Sequence, residues 1–155
     1  SLQEKSRINS ISQIKSSIDF ANKIDAETVV VHPGLMPFLA RPFEDRVYEA
    51  ANQSIIELGN YGKDLGVTAA IENMPTFEGM IYQDMERLDN ILQENEMFMT
   101  LDIGHANHVG YSPEAMYLKS IINTLENKNY DGIYIIEVND EDSIKKSYEY
   151  MKENF

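Results

Sequence analysis

Leu65-Gly66-Val67-Thr68-Ala69-Ala70-Ile71-Glu72 passes from a helix end through a glycine stop into a short apolar strand, and places an acid at its end. The helix behind it runs from about Glu44 to Leu65, with Val47, Ala50, Ala51, Ile55, Leu58 and Tyr61 as its apolar stripe. The strand Thr68–Ile71, led in by Val67, opens into Glu72-Asn73-Met74-Pro75. The same order of helical pattern, apolar strand and polar loop recurs along the chain.

Upstream, a helix is expected over about Leu2 to Ile24, where Ile8, Ile11, Ile14, Ile18 and Ala21 recur every three to four positions. Thr28–His32 follows, β-branched and almost wholly apolar, which suits a parallel strand buried on both faces. Pro33-Gly34 punctuates its end. Downstream, Met85, Leu88, Ile91 and Leu92 mark a helix over about Gln83 to Asn95, and the strand Phe98–Leu101 ends in Asp102-Ile103-Gly104-His105. Ser112-Pro113-Glu114 opens a fourth helical region, with Ser as cap and Pro in the first turn. Asp131-Gly132 is a turn, Ile133–Ile136 a strand ending in Glu137, and a last helix covers about Glu141 to Glu153. Alternating helices and short buried strands imply a parallel sheet with right-handed crossovers. All four strands finish in a polar, reactive residue: His32, Glu72, Asp102 and Glu137. In α/β folds the site lies at the carboxyl ends of the strands, so these residues converge on one edge.

The composition fits an enzyme-sized globular domain. The 155 residues are 43% apolar and 25% charged, enough for one domain with a real core. No apolar run reaches the roughly 18 residues of a membrane span. Ser1 to Arg7 is polar and lacks an apolar signal core, so a cytoplasmic location is expected. With no Cys, any metal must be held by His, Asp, Glu or water. A net charge of −13 opposes a broad nucleic-acid footprint and serves solubility.

Glu72 and Glu137 each follow an apolar run, where an acid must be paired, protonated or bound to a metal. The alternative for either is a carboxylate that caps the next loop or pairs with an Arg. Asp102 and His105 form an Asp-x-x-His spacing across Gly104, which lets the chain turn so that both side chains face one point. The bland version is a helix-start Asp beside a surface His. Carboxylate and imidazole together suit Zn²⁺, Mn²⁺, Fe²⁺ or Co²⁺. His32 reads first as a satisfied near-core residue, His108 as solvated surface, and Lys145-Lys146 as a solvated helix face. The eight Met residues fall largely at positions that read as core. The chain has no phosphate-binding glycine loop, no His-Glu-x-x-His and no Gly-x-Ser-x-Gly.

Val30-Val31-His32-Pro33-Gly34, Ile71-Glu72-Asn73, Leu101-Asp102-Ile103-Gly104-His105-Ala106-Asn107 and Tyr134-Ile135-Ile136-Glu137-Val138 together resemble the xylose isomerase-like TIM barrels. That superfamily includes sugar and sugar-phosphate isomerases and epimerases, and endonuclease IV, which cleaves DNA at abasic sites. The resemblance implies a (β/α)8 barrel, of which about four βα units are legible. It also implies metal ligation by Glu72, Asp102 and Glu137. His105 matches a substrate contact in the isomerases and a zinc ligand in the nuclease, and His32 matches a zinc ligand of the nuclease branch. Asn73 joins His105 and His32 as an expected substrate contact. The family's usual strand and ligands between Asp-x-Gly-His and the last Glu are absent, since only 31 residues separate His105 from Glu137. Residues 1–155 are therefore expected to form one incomplete barrel domain, with segments missing near 116–118 and before residue 1. The activity implied is a divalent-metal isomerase or epimerase (Zn²⁺, Mn²⁺, Co²⁺ or Mg²⁺) acting on a small sugar or sugar phosphate by carboxylate proton transfer. The alternatives are an endonuclease IV-like zinc phosphodiesterase, with nucleic acid as partner, and an inactive barrel used for binding.

Overall fold

The computed structural model describes residues 2–102, with 105, 142, 145, 148, 149 and 152. The chain divides into two compact units, Ser1–Tyr111 and Ser112–Phe155. The first unit holds helix α1 (Glu4–Lys23), strand β1 (Thr28–Val31), a 3-10 turn (Phe38–Phe43), α2 (Glu44–Leu65), β2 (Thr68–Glu72), α3 (Met85–Glu94) and β3 (Phe98–Thr100). In the second unit the described positions 142, 145, 148, 149 and 152 are helical, within the helix expected over Glu141 to Glu153. The expected strand Ile133–Ile136 and the suspected join at 116–118 lie outside the described residues.

The three strands form one sheet in the order β1-β2-β3, parallel throughout, as the repeated helix–strand pattern implies. Val31 pairs with Ile71 and Ile71 with Met99, so these side chains share a face. That face packs on the helices: Val31, Ala69 and Ile71 join Ile11, Ile18, Val47, Ile55, Leu58, Leu88 and Leu92 in one buried cluster. The helix stripes read from the sequence supply most of it. Ile8, at the margin of the α1 stripe, is 55% exposed.

The opposite face differs from expectation at β1. Val30, Ala70 and Phe98 form one row across it. Ala70 on the central strand is buried, but Val30 is 41% and Phe98 64% exposed. Burial on both faces therefore holds for β2, which has a neighbour on each side, and not for the two strands that flank it.

Helices α1, α2 and α3 each turn into the next strand in one way. Asp25, Gly66 and Glu96 each have positive φ, at 56°, 71° and 54°. The following amide donates back five residues at 2.9 Å: Ala26 to the Ala21 carbonyl, Val67 to Gly62, Met97 to Leu92. This is the left-handed helix end with its six-to-one hydrogen bond. At the other end of α3, Asp84 caps by accepting from the Glu86 and Arg87 amides at 3.0 and 3.4 Å.

Candidate active site

The carboxyl ends of the three strands carry the expected polar residues. Glu72 ends β2 and alternates with Ile71, so its side chain lies on the face away from the helices. It is 4% exposed. A carboxylate that dry needs partners, and it has imidazoles on both sides. His32 Nε2 stands 2.8 Å from Glu72 Oε2, and His105 Nδ1 3.3 Å from Oε1. His32 is itself mostly exposed, with only its ring tip on Glu72, so it is not the near-core residue its position implied.

Asp102 Oδ1 accepts from the His105 amide at 2.7 Å, the hydrogen bond of a helix-start aspartate. Its other oxygen, Oδ2, lies 3.6 Å from His105 Nδ1. One oxygen thus caps, as a helix-start Asp does, and the other faces the imidazole. His105 Nδ1 is also 2.9 Å from the Asn73 carbonyl oxygen. Protonated, Nδ1 donates to that carbonyl; unprotonated, it is the ring nitrogen that faces both carboxylates and offers its lone pair beside them. One donor atom from each of Glu72, Asp102 and His105 lies within 4.8 Å of the other two. Two carboxylates and an imidazole at that separation fit a hard or borderline divalent cation.

Asn73 meets a different geometry from that of a substrate contact. It is fully buried at 0% exposure. Its Nδ2 donates to the Asp102 carbonyl oxygen at 2.9 Å, and its Oδ1 accepts from the Asp102 amide at 2.7 Å. No signal in the sequence ties position 73 to the backbone 29 residues on. Glu137 and His108 lie outside the described residues.

The loops after β1 and β2 are joined beside this group. The Met36 amide donates to the Gly79 carbonyl at 2.6 Å, and Leu35 and Met80 form an antiparallel bridge. Tyr82, 1% exposed, holds the base of the second loop: its carbonyl accepts from Met74, its hydroxyl donates to Asn52, and its ring meets that of Tyr48 edge-on at 5.1 Å. Burial, with a smaller contribution from Tyr48, pushes its phenol up to about 12. A cleft of about 570 Å³ lies outside these loops, lined by Met36, Arg41, Tyr48, Phe77 and Arg87. It contains none of the acid–imidazole residues. A smaller cavity of about 240 Å³ reaches His32, past Val31, Leu35 and Ile81. The chemistry, not the larger volume, marks the site.

A parallel βα sheet with acids and imidazoles at its carboxyl edge defines the class: an α/β-barrel type of protein with a strand-end site. Comparison with known families narrows this. Residues 1–117 match the family described as the xylose isomerase-like TIM barrel, and the chain belongs to it. Two uncharacterized proteins of Methanocaldococcus jannaschii are similar. MJ1311 is 30% identical over 155 residues, 98% of this chain and 50% of that protein. MJ1614 is 31% identical over 108 residues, 68% of this chain and 41% of that protein. The chain thus spans about half the length of the curated relatives it matches. A crystal structure of a D-tagatose 3-epimerase-like protein superposes with a TM-score of 0.85 at 26% identity, covering 99% of this chain and 71% of that one. The architecture is accordingly that of a (β/α) barrel, of which the described sheet is a part. Among the described residues no helix is long and apolar enough to cross a membrane.

Proposed function

We propose that this chain carries the site residues of a divalent-metal-dependent isomerase or epimerase acting on a small sugar or sugar phosphate. The observation that carries the reading is the convergence of Glu72, Asp102 and His105 within 4.8 Å at the strand ends. The similarity to a D-tagatose 3-epimerase-like protein supports a sugar as substrate. Residues 1–155 are read as belonging to one barrel domain, with the family match over 1–117 in support.

Glu72, Asp102 and His105 would hold the cation, joined by Glu137 and, at its rim, His32. A divalent cation supplies polarisation of a carbonyl and the adjacent hydroxyl, and so acidifies the carbon-bound hydrogen between them. Glu72 and Glu137 divide the proton transfers. One carboxylate removes the proton from the carbon beside the carbonyl; the other, as its acid, returns a proton to the opposite face. Glu72 is buried between two imidazoles, which holds its carboxylate in one place for this task. The other ring nitrogen of His105, Nε2, steadies a substrate hydroxyl or oxyanion. The exposed side of His32 orients the substrate from the β1 edge.

One observation favours a second reading. His32 Nε2 lies against the same carboxylate at 2.8 Å, an extra imidazole of the kind a zinc phosphodiesterase acting on abasic DNA uses. The net charge of −13 opposes approach to a duplex and ranks this second. Parallel assays on the full-length natural protein separate the two: interconversion of ketoses with Mn²⁺ or Co²⁺, and nicking of an abasic-site duplex with Zn²⁺. The first reading predicts sugar turnover that Glu137→Gln abolishes. Nicking without sugar turnover, lost in the same variant, would select the second, and neither activity would select an inactive binding barrel.

A further inference from the structure

We infer that Asn73 is a positioning residue, which sets the Asp102 carboxylate and the His105 ring against Glu72. The inference rests on the reading that these three hold a cation.

The regular ladder between β2 and β3 ends at the pair Glu72 and Thr100. One step on, the Asn73 amide still reaches the Thr100 carbonyl, at 3.4 Å. Beyond that point the backbone of β2 turns away into its loop, and Asp102 would lose its partner. The Asn73 side chain takes over. Its carboxamide offers one donor and one acceptor to the Asp102 carbonyl and amide, at 2.9 and 2.7 Å, in place of the backbone groups that β2 no longer presents. Only a short side chain carrying both functions does this. Aspartate lacks the donor, glutamine is one carbon longer, and serine is too short to span both groups.

The consequence falls on the site. With the Asp102 backbone held at both polar groups and Oδ1 engaged by the His105 amide, the carboxylate keeps one orientation, with Oδ2 toward the imidazole. The same residue's backbone carbonyl meets His105 Nδ1 at 2.9 Å, which sets the orientation of the ring. Asn73 is also bonded covalently to Glu72. One buried residue therefore touches all three candidate ligands while facing no substrate. Partners of this kind typically change metal affinity about 10–100-fold when removed.

Co²⁺ serves as the probe on the full-length protein, because its visible absorption reports coordination and calorimetry gives its affinity. Asn73→Ala should weaken Co²⁺ binding by about 10–100-fold in protein that is still folded, with an altered visible spectrum. Leu92→Ala, which removes buried side chain from α3, a helix that carries none of the candidate ligands, is the stability control. It should lower the melting temperature and leave Co²⁺ affinity and spectrum unchanged. Should Asn73→Ala not fold, Asn73→Ser, which keeps a polar atom but only one of the two bonds, carries the same expectation. Wild-type affinity and spectrum in folded Asn73→Ala or Asn73→Ser, with binding lost in Glu72→Gln, would overturn the inference and leave the cation reading standing. No Co²⁺ binding by the wild type would overturn both.

Discussion

Replacing Gly62 by alanine adds one methyl group to the buried face of α2, where an ideal Cβ lies 2.4 Å from the Val67 carbonyl oxygen and 3.4 Å from the Ala69 amide nitrogen. Both neighbours are backbone of the chain entering β2, and Val67 is tied to Gly62 itself by a 2.9 Å hydrogen bond. Neither can move without shifting the helix against the strand. In an open helix the same change stabilises by about 1 kcal/mol. Overpacking against an unyielding neighbour costs about 1–3 kcal/mol, and a backbone contact belongs at the upper end. The net expectation is a loss of about 1–2 kcal/mol. Gly59, one turn earlier, is the internal control. Its Cβ would meet Met97 Cε at 2.5 Å and Sδ at 2.8 Å, the far end of a flexible thioether that can swing aside. Gly59→Ala should be neutral or stabilise by up to about 1 kcal/mol. Urea unfolding of the two variants and wild type decides the matter by sign. A Gly62→Ala protein as stable as Gly59→Ala would show that α2 and β2 do not pack at this distance.

Glu96 holds a left-handed conformation at φ 54° without being glycine, at a cost of about 1–2 kcal/mol relative to an unstrained residue. Glu96→Gly relieves it and gives back about 0.5–1 kcal/mol of chain entropy, so stability should be unchanged or rise by up to about 1 kcal/mol in urea; a clear fall would refute the strain argument. Tyr82 predicts a loss of stability in alkali. Its phenol is raised from 10.0 to about 12 in the folded state, so the folded protein keeps a proton that the unfolded chain releases. That contribution is intact below about pH 10 and fades as pH rises towards about 12, by about 2–3 kcal/mol in all. Tyr82→Phe should flatten this part of the curve, and equal slopes for both proteins would contradict it.

Much of the architecture was legible because period and burial coincide. The α2 limits, Glu44 and Leu65, follow from the stripe and from Gly66, and the parallel order follows from alternation. The left-handed turns at Asp25 and Glu96 were not legible, since neither position has a glycine. They are held instead by the five-back hydrogen bond and by partly buried Ala26 and Met97 beyond it. The 3-10 turn over Phe38–Phe43 was missed as well; it contains Pro42 and leaves Phe38 and Leu39 exposed, so no apolar period marks it. At the site, the strand ends read from the sequence bring Glu72 and Asp102 together, with His105 beside them. The role of Asn73 was hidden because its partner is 29 residues away and is backbone, which bears no sequence signal.

Solvent hydrogen exchange at carbon tests the central claim most directly. The full-length protein, loaded with Mn²⁺ or Co²⁺ and incubated in D₂O with a panel of ketoses and ketose phosphates, should place deuterium on a carbon beside the carbonyl of at least one of them. NMR reads both the label and any change of configuration. Glu72→Gln keeps the shape of the buried side chain but removes the base and one ligand charge, and should abolish the label. Deuterium incorporated at the wild-type rate by Glu72→Gln would contradict the account.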